Sequence, residues 1–491
     1  MNLTVASPAG PRLIAAAAGE ELAAVLRRAG LGLDTRCGGL GTCGRCRVRL
    51  VAGCCSVDGR EVAAPAWVNA CRARLLGGDA GIVVPAESFL PATGQIAFDL
   101  AILPQRTETV LAIDLGTTTV AAALIADGQL LASGGAFNLQ NRYGDNIASR
   151  ISGAAAALPQ LRQAAIDTVR GILGSFPKEA LARVSRVALA GNTVMSCLWH
   201  GIDPAPIGVL PFTPPLRVFP ETTAEMLGLT VPLLTVPAIS GYVGGDLAGG
   251  VGIVGLRPGE LLVDIGTNCE IVLAGAERMW CAAAAAGPAF EGAGVRCGSR
   301  AVPGAIEHLW LEGGKPVFST VGGLPPAGIC GSAFIDFLAA GRAGGLLTEF
   351  GRLTEFESDG NCRFYRLAGE VVITEADIEQ LLKAKAAVYA GIGSLLKHAG
   401  LELAAVKRIY LAGGFARYLN LDAAVAVGML PALPQGEYRV VGNTALTAAA
   451  RLAAEPEWLE ELERLIDLPQ EVPLNSIASF ESDYIDALLL M

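Results

Sequence analysis

The stretch Val110-Leu-Ala-Ile-Asp114-Leu-Gly-Thr-Thr-Thr119 decides the fold. Its apolar opening reads as a strand buried on both faces, which ends in a carboxylate. A glycine and hydroxyls then turn the chain into a second strand over 120–125. Backbone amides of such a turn can hydrogen-bond phosphate oxygens, Gly116 permits close approach, and Asp114 can hold Mg²⁺ through water. A single turn of this kind is more often an ordinary β-turn. The pattern returns, however, in Leu261-Leu-Val-Asp264-Ile-Gly-Thr-Asn-Cys-Glu270. Strand, acid, glycine–hydroxyl turn and strand, written twice, is the signature of a duplicated fold whose two related lobes face one cleft. A third element, Tyr410-Leu-Ala-Gly-Gly-Phe415, sets Gly413 and Gly414 after a strand, where a flat purine or ribose can lie on bare backbone.

Outward from these turns, Val187–Ala190 and Arg408–Ala412 repeat the buried-strand texture, and 158–173 and 375–399 carry helical periodicity. Strands alternating with helices predict α/β layers. The N-terminal region differs. Short β-like runs at 3–5, 47–51 and 82–84 surround one helical stretch over 19–30 and a glycine-rich loop, and a final hairpin is expected after Cys71. Residues 86–107, with Pro91, Gly94 and Pro104, read as a linker. The expected domains are therefore 1–85, then lobes at 108–256 and 257–491.

Twelve cysteines are present, six of them between residues 37 and 71. Cys37-Gly-Gly-Leu-Gly-Thr-Cys43-Gly-Arg-Cys46, followed by Cys71, gives a C-x5-C-x2-C…C spacing close to the plant-type loop that holds a 2Fe–2S centre. Glycines supply the positive φ values that such a wrap requires. A zinc site and buried thiols are the competing readings, and zinc is disfavoured because a second CxxC is missing. Cys54 and Cys55 compete with Cys71 for the fourth ligand position; Cys71 is preferred because they adjoin the turn at Ala52-Gly53. No CxxC follows Cys71, so one cluster is expected.

Bulk composition excludes several classes. Hydrophobic residues at 52% against 17% charged describe a well-buried globular chain, and 491 residues exceed one core. A net charge of −10 argues against nucleic acid, whose phosphates need Lys and Arg. Runs of about 18 uninterrupted apolar residues are absent, so no membrane span is expected. A leader-like N-terminal pattern is also missing, which reads as cytoplasmic. His200, His308 and His398 show no metal spacing; His200 is read as structural and His398 as a helix C-terminal charge.

The two acidic turns and the glycine pair resemble the phosphate-1, phosphate-2 and adenosine motifs of the acetate and sugar kinase/heat-shock ATPase/actin superfamily. A narrower resemblance covers nearly the whole chain, to the reductive activators of corrinoid proteins. It rests on Cys37–Cys46, Asp114–Thr119, residues 138–145, Gly191-Asn-Thr-Val-Met195, Gly241-Tyr-Val-Gly-Gly-Asp246, Asp264–Glu270, Ala286-Gly-Pro-Ala-Phe-Glu-Gly292, Gly328-Ile-Cys-Gly-Ser332 and Ala412-Gly-Gly-Phe415. The resemblance implies an α+β, ferredoxin-like (β-grasp) 2Fe–2S domain followed by a duplicated, two-lobed actin-like ATPase. It implies that inactive Co(II) of a corrinoid protein in a methyltransferase system is returned to Co(I) by one electron, with ATP supplying the thermodynamic push. An external low-potential electron donor is implied as a further partner, and a homodimer through the ATPase lobes is compatible with it.

Under that resemblance Cys37, Cys43, Cys46 and Cys71 ligate the cluster. Asp114 and Asp264 position hydrated Mg²⁺, while Gly116, Thr117, Thr118, Gly266, Thr267 and Asn268 hold phosphate oxygens. Gly413 and Gly414 floor the adenosine, and Asp246 and Glu291 orient the attacking water. Cys269 stands where the family usually has glycine, and is expected to crowd the anion. Two other readings stay open: a small-molecule kinase with a redox-sensing ferredoxin domain, and a non-catalytic, redox-controlled binding protein.

Overall fold

The computed structural model describes residues 1–7, 10–29, 31, 33, 41, 46–85, 88, 108–144, 146–360 and 362–491, without the side chain of Arg27. The chain forms two compact units, Met1–Thr93 with Leu139–Arg150, and Gly94–Asn138 with Ile151–Met491. Of the expected linker 86–107, only Ser88 lies within the described residues. Cys37, Cys43 and Asp145 lie outside them.

In the first unit, period-two alternation places Leu3, Val5, Val48, Leu50 and Ile82 on one face of a mixed sheet. Its strands lie in the order Arg12–Ala15, Asn2–Ala6, Ala80–Val83, Arg47–Ala52 and Ala66–Asn69. Helix Leu22–Arg28 covers that face with Leu22, Val25 and Leu26, the i, i+3, i+4 stripe of an amphipathic helix. This is the β-grasp arrangement. The hairpin expected after Cys71 does not form. Ala73–Leu75 instead pairs with Cys54–Val57 in a second, three-stranded sheet, while Ala80–Val83 runs parallel to Asn2–Ala6 and antiparallel to Arg47–Ala52. Ile82 gains a central position between two strands that way, and Gly78 at φ +101° supplies the redirection.

The second unit contains the duplication. Strands Thr109–Leu115, Thr119–Ala126, Gln129–Phe137, Val184–Gly191 and Pro232–Thr235 lie in the order third, second, first, fourth, fifth. The first three are antiparallel neighbours, and the fourth and fifth run parallel to the first. Strands Glu260–Ile265, Cys269–Ala274, Met279–Ala284, Arg408–Ala412 and Glu437–Gly442 repeat that order and those directions.

Both faces of these sheets are covered, which is why the strands read as unbroken apolar runs. Between the sheets lie helices Gly245–Val254 and Thr444–Ala454. Ala112, Ala190 and Leu234 of one sheet and Leu262, Val272 and Tyr410 of the other share a core with Leu247, Val251, Leu446 and Ala449. The two helices touch so closely that a Cβ on Gly249 would sit 2.4 Å from the Ala448 methyl. On the far face of the second sheet, Leu261, Val263, Ile265, Cys269 and Ile271 pack with Phe334 and Phe337 of helix Gly331–Ala343 and with Leu381, Val388 and Leu395 of helix Glu375–His398.

Helix Glu375–His398 opens on a capping box: Thr374 Oγ1 accepts from the Asp377 amide (3.0 Å) and Asp377 Oδ2 accepts from the Thr374 amide (2.9 Å). Lys397 and His398 occupy its last turn, as the dipole favours. Helix Ile147–Leu173 begins earlier than the periodicity suggested. It is broken at Ala157 (φ −138°), because Pro159 cannot continue the hydrogen-bond ladder. Among the described residues, no helix is long and apolar enough to cross a membrane.

Candidate functional site: a two-lobed nucleotide cleft and a paired-thiol loop

The first turn of each lobe ends the first strand of its sheet, at the carboxyl edge where open α/β sheets bind ligands. In the first lobe Gly116 is obligatory, since a Cβ there would lie 2.3 Å from the Thr119 carbonyl oxygen. Asn138 Nδ2 donates to the Gly116 carbonyl (3.0 Å), and Asn192 Nδ2 donates to Thr117 Oγ1 (2.9 Å). In the second lobe the Gly266 amide donates to the Asn268 carbonyl (3.0 Å), and Thr267 Oγ1 donates to Glu291 Oε1 (2.8 Å). The hydroxyls of Thr118 and Thr267 share a 2.9 Å hydrogen bond, so the two turns meet face to face.

Gly413, at φ +94°, brings the end of strand Arg408–Ala412 against the second turn. A Cβ there would lie 2.6 Å from the Ile265 carbonyl and 2.9 Å from Asp264 Oδ1. A Cβ on Gly414 would meet no described atom within 4 Å, which leaves an open surface beside it. Phe415 stacks on Phe290 (centroids 4.8 Å, planes at 10°) and joins the adenosine-type loop to residues 286–292.

Acidic groups crowd the cleft. Burial raises the carboxyl of Asp114 to about 7 although Asn443 Nδ2 donates to it (2.7 Å), and Asp246 and Glu291 push the same way. Burial, then Asp246, Asp114 and Glu291, raise Asp264 to about 8. Asp246 is raised to about 6 by burial, against the Leu247 amide it accepts from (2.9 Å). Glu270 is pushed well above the carboxylate range by burial and by Asp246 and Asp264. Like charges held together at low dielectric resist ionisation, and a cation would relieve them. Among the described residues, no three ligating side chains converge tightly enough to grip a metal ion directly.

Several participants were missed from sequence. Asn443 N-caps helix Thr444–Ala454 and Asn192 N-caps helix Thr193–His200, each before an apolar run that could have marked it. Glu270 was quoted but given no role; it lies opposite Asp264 in register. The expectation for Cys269 is corrected. It pairs with Ile265, and its side chain is fully buried in the far-face core, so the thiol points away from the cleft. His200 is structural as expected: Nε2 meets Thr235 Oγ1 at 2.9 Å, the ring stacks on Phe219, and burial lowers it to about 4.

In the first unit, Cys46 and Cys71 are buried with their sulfurs 3.3 Å apart. That is too long for a disulfide at ~2.05 Å and close enough for two ligands of one metal centre. The Ala70 amide donates to the Cys46 carbonyl (3.0 Å) and fixes the two segments together. Cys54 and Cys55 belong to strand Cys54–Val57, and Cys55 faces the core.

Such a chain is a ferredoxin-type unit joined to a two-lobed unit of the acetate and sugar kinase/heat-shock ATPase/actin class. Comparison with known families agrees. Residues 9–76 match the 2Fe-2S iron-sulfur cluster binding domain, 109–258 the RACo middle region, and 259–491 the C-terminal domain of RACo, the ASKHA domain. The chain belongs to the RACo family.

Among curated relatives, the corrinoid activation enzyme RamQ of Eubacterium limosum is 29% identical over 377 residues, covering 69% of this chain and 63% of the relative. The [Co(II) methylated amine-specific corrinoid protein] reductase of Methanosarcina barkeri is 27% identical over 336 residues, covering 60% of each. The chain thus matches less than two thirds of the length of these relatives. A solved structure described as a reductive activator for a corrinoid, iron-sulfur protein matches with a TM-score of 0.73 and 27% identity, over 99% of this chain and 98% of that one.

Proposed function

We propose that this protein is an ATP-dependent reductive activator of a corrinoid protein, returning inactive Co(II) to Co(I) by one electron. The observation that carries the reading is the joining, in one chain, of the Cys46–Cys71 sulfur pair to a duplicated cleft whose two phosphate-type turns meet at Thr118 and Thr267. A 2Fe–2S cluster supplies single-electron chemistry at low potential when bound. Its proposed ligands are Cys37, Cys43, Cys46 and Cys71; the buried sulfur pair fits such a group. We place that domain at 1–85, a linker at 86–107 and the two lobes at 108–256 and 257–491.

In the cleft, Gly116, Thr117, Thr118, Gly266, Thr267 and Asn268 present amides and hydroxyls to phosphate, and Gly413 and Gly414 lie under adenosine. Asp114 and Asp264 are proposed to hold Mg²⁺ through its waters, a reading supported by half-buried carboxylates that repel one another across the cleft. Asp246 and Glu291 are proposed to orient the attacking water; the contact of Glu291 with Thr267 places it beside the second turn. The electron comes from an external low-potential donor.

The test adds chemically reduced protein to a Co(II) corrinoid protein, with and without MgATP, and follows cobalt absorbance. Co(I) should accumulate with MgATP. Co(I) formation that is absent, or indifferent to ATP, would falsify the reading, and phosphorylation of an added metabolite would favour the kinase alternative.

A further inference from the structure

Residues 291–300 form a loop closed at its neck. The backbones of Gly292 and Ser299 touch there: a Cβ on Gly292 would lie 2.7 Å from the Ser299 amide nitrogen, and one on Gly298 would lie 2.4 Å from the Gly292 carbonyl. The neck is anchored to the second lobe, where the Ser299 amide donates to the Ile329 carbonyl (2.7 Å) and the Ile329 amide donates to the Cys297 carbonyl (2.8 Å). Two side chains leave this neck in opposite senses of charge. Glu291 accepts from Thr267 in the second turn. Arg300 crosses to the first lobe, donates to Thr119 Oγ1 and lies 4.0 Å over the ring of Phe137. Thr119 and Phe137 are register partners at the mouth of the first turn.

We infer that Arg300 is a phosphate-binding residue, carried by the second lobe to the terminal phosphate of a nucleoside triphosphate. The inference rests on the nucleotide reading above. Adenosine on Gly413 and Gly414 starts the ligand beside the second turn, against which Gly413 packs. The phosphate chain then runs toward the first turn, so its far end reaches Thr119. A guanidinium already delivered there presents a rigid fork of donors matched to phosphate, and its perch on Phe137 orders it beforehand. It also brings positive charge to a cleft in which Asp114, Asp246, Asp264, Glu270 and Glu291 oppose a polyanion. Because the neck belongs to one lobe and Thr119 to the other, a phosphate held by both fixes the lobes together.

The experiment compares full-length wild type, Arg300→Ala and Arg300→Lys for calorimetric affinity to MgATP and MgADP and for steady-state phosphate release. Arg300→Ala should weaken MgATP binding or lower kcat/KM about tenfold to a hundredfold, the range for losing a hydrogen bond to a charged group. MgADP affinity should change much less, and Arg300→Lys should fall between. Added guanidinium ion at millimolar level should restore part of the loss in Arg300→Ala and none in wild type. Undiminished MgATP binding and turnover in Arg300→Ala would overturn the inference. So would equal losses for MgATP and MgADP without rescue by guanidinium. If Arg300→Ala does not fold, Arg300→Lys decides: a triphosphate-selective loss supports the role and wild-type behaviour overturns it. A wild type that binds no MgATP sinks the nucleotide reading itself, which separates the two failures.

Discussion

Replacing Asp264 by Asn should stabilise the ligand-free protein while abolishing its response to MgATP. Asp264 is raised to about 8 by burial and by Asp246, Asp114 and Glu291, whereas in the unfolded chain it titrates near ~3.9. The sign follows from linkage: the folded state binds this proton more tightly, so stability is full below the unfolded value and is lost as pH rises toward 8. A displacement of about four units corresponds to about 6 kcal/mol at ~1.4 kcal/mol per unit. Water in the open cleft and the shared titration of Asp114 and Asp246 reduce this, and about 1–3 kcal/mol is the expected gain for Asn at pH 8. Melting in EDTA should therefore rise by about 1–4 °C at pH 8 and by almost nothing at pH 4. MgATP should raise the melting temperature of wild type and leave the variant unmoved. A variant that melts at or below wild type at pH 8 without metal would refute the electrostatic argument.

Gly413→Ala places a Cβ at positive φ and 2.6 Å from the Ile265 carbonyl; about 2–3 kcal/mol of local destabilisation and a tenfold or greater loss of MgATP affinity are expected by calorimetry. Cys71→Ser should eliminate the 2Fe–2S signal in EPR of the reduced protein, whereas Cys55→Ser should retain it; the reverse pattern would transfer the fourth ligand. Gly249→Val overpacks the helix contact at Ala448 and should cost about 1–3 kcal/mol in thermal melts. Cys269→Ala should leave MgATP affinity unchanged, and the buried Cys269 thiol, which burial raises far above its usual range, should resist thiol reagents in the native state.

Strands such as Thr109–Leu115 and Glu260–Ile265 were legible because sheets covered on both faces write themselves as apolar runs. The identical strand order of the two lobes was implied by the repeated turns. What escaped was information carried by pairing. Ala73–Leu75 and Ala80–Val83 look like a hairpin locally, yet each is claimed by a different sheet. Period-two parity alone would have turned Cys269 away from the cleft, since Glu270 faces Asp264; the glycine comparison with the family drew attention to the residue type and not to its side of the strand. Asn443 and Arg300 are invisible to any local pattern of phosphate turns, because each reaches its turn from an element distant in sequence, and Asn192, although within the quoted 191–195 string, was given no role for the same reason.

Opposed forces meet in the cleft. Thr118 and Thr267 join the turns through a hydroxyl contact, and Asn443 and Arg300 reach across to Asp114 and Thr119, while the carboxylates around them repel. On the proposed reading, a hydrated divalent cation with a triphosphate would reverse that balance, the cation answering the carboxylates and the phosphates answering the amides and Arg300. Any ligand that favours one arrangement of the lobes over another does so by its differential affinity, and only by that amount. Coupling free energies between sites of about 1–3 kcal/mol are usual, and for one electron roughly 59 mV corresponds to ~1.4 kcal/mol. On the proposed reading, nucleotide-driven lobe closure on that scale would offset roughly 40–130 mV of an unfavourable electron transfer. A deficit larger than this cannot be met by closure alone, so the proposed activity then requires either hydrolysis to make the step irreversible or a stronger external donor. Measuring the ratio of Co(I) to Co(II) with MgATP against a non-hydrolysable analogue separates the two: equal ratios mean that binding suffices, and a ratio raised only by MgATP means that hydrolysis pulls the electron across.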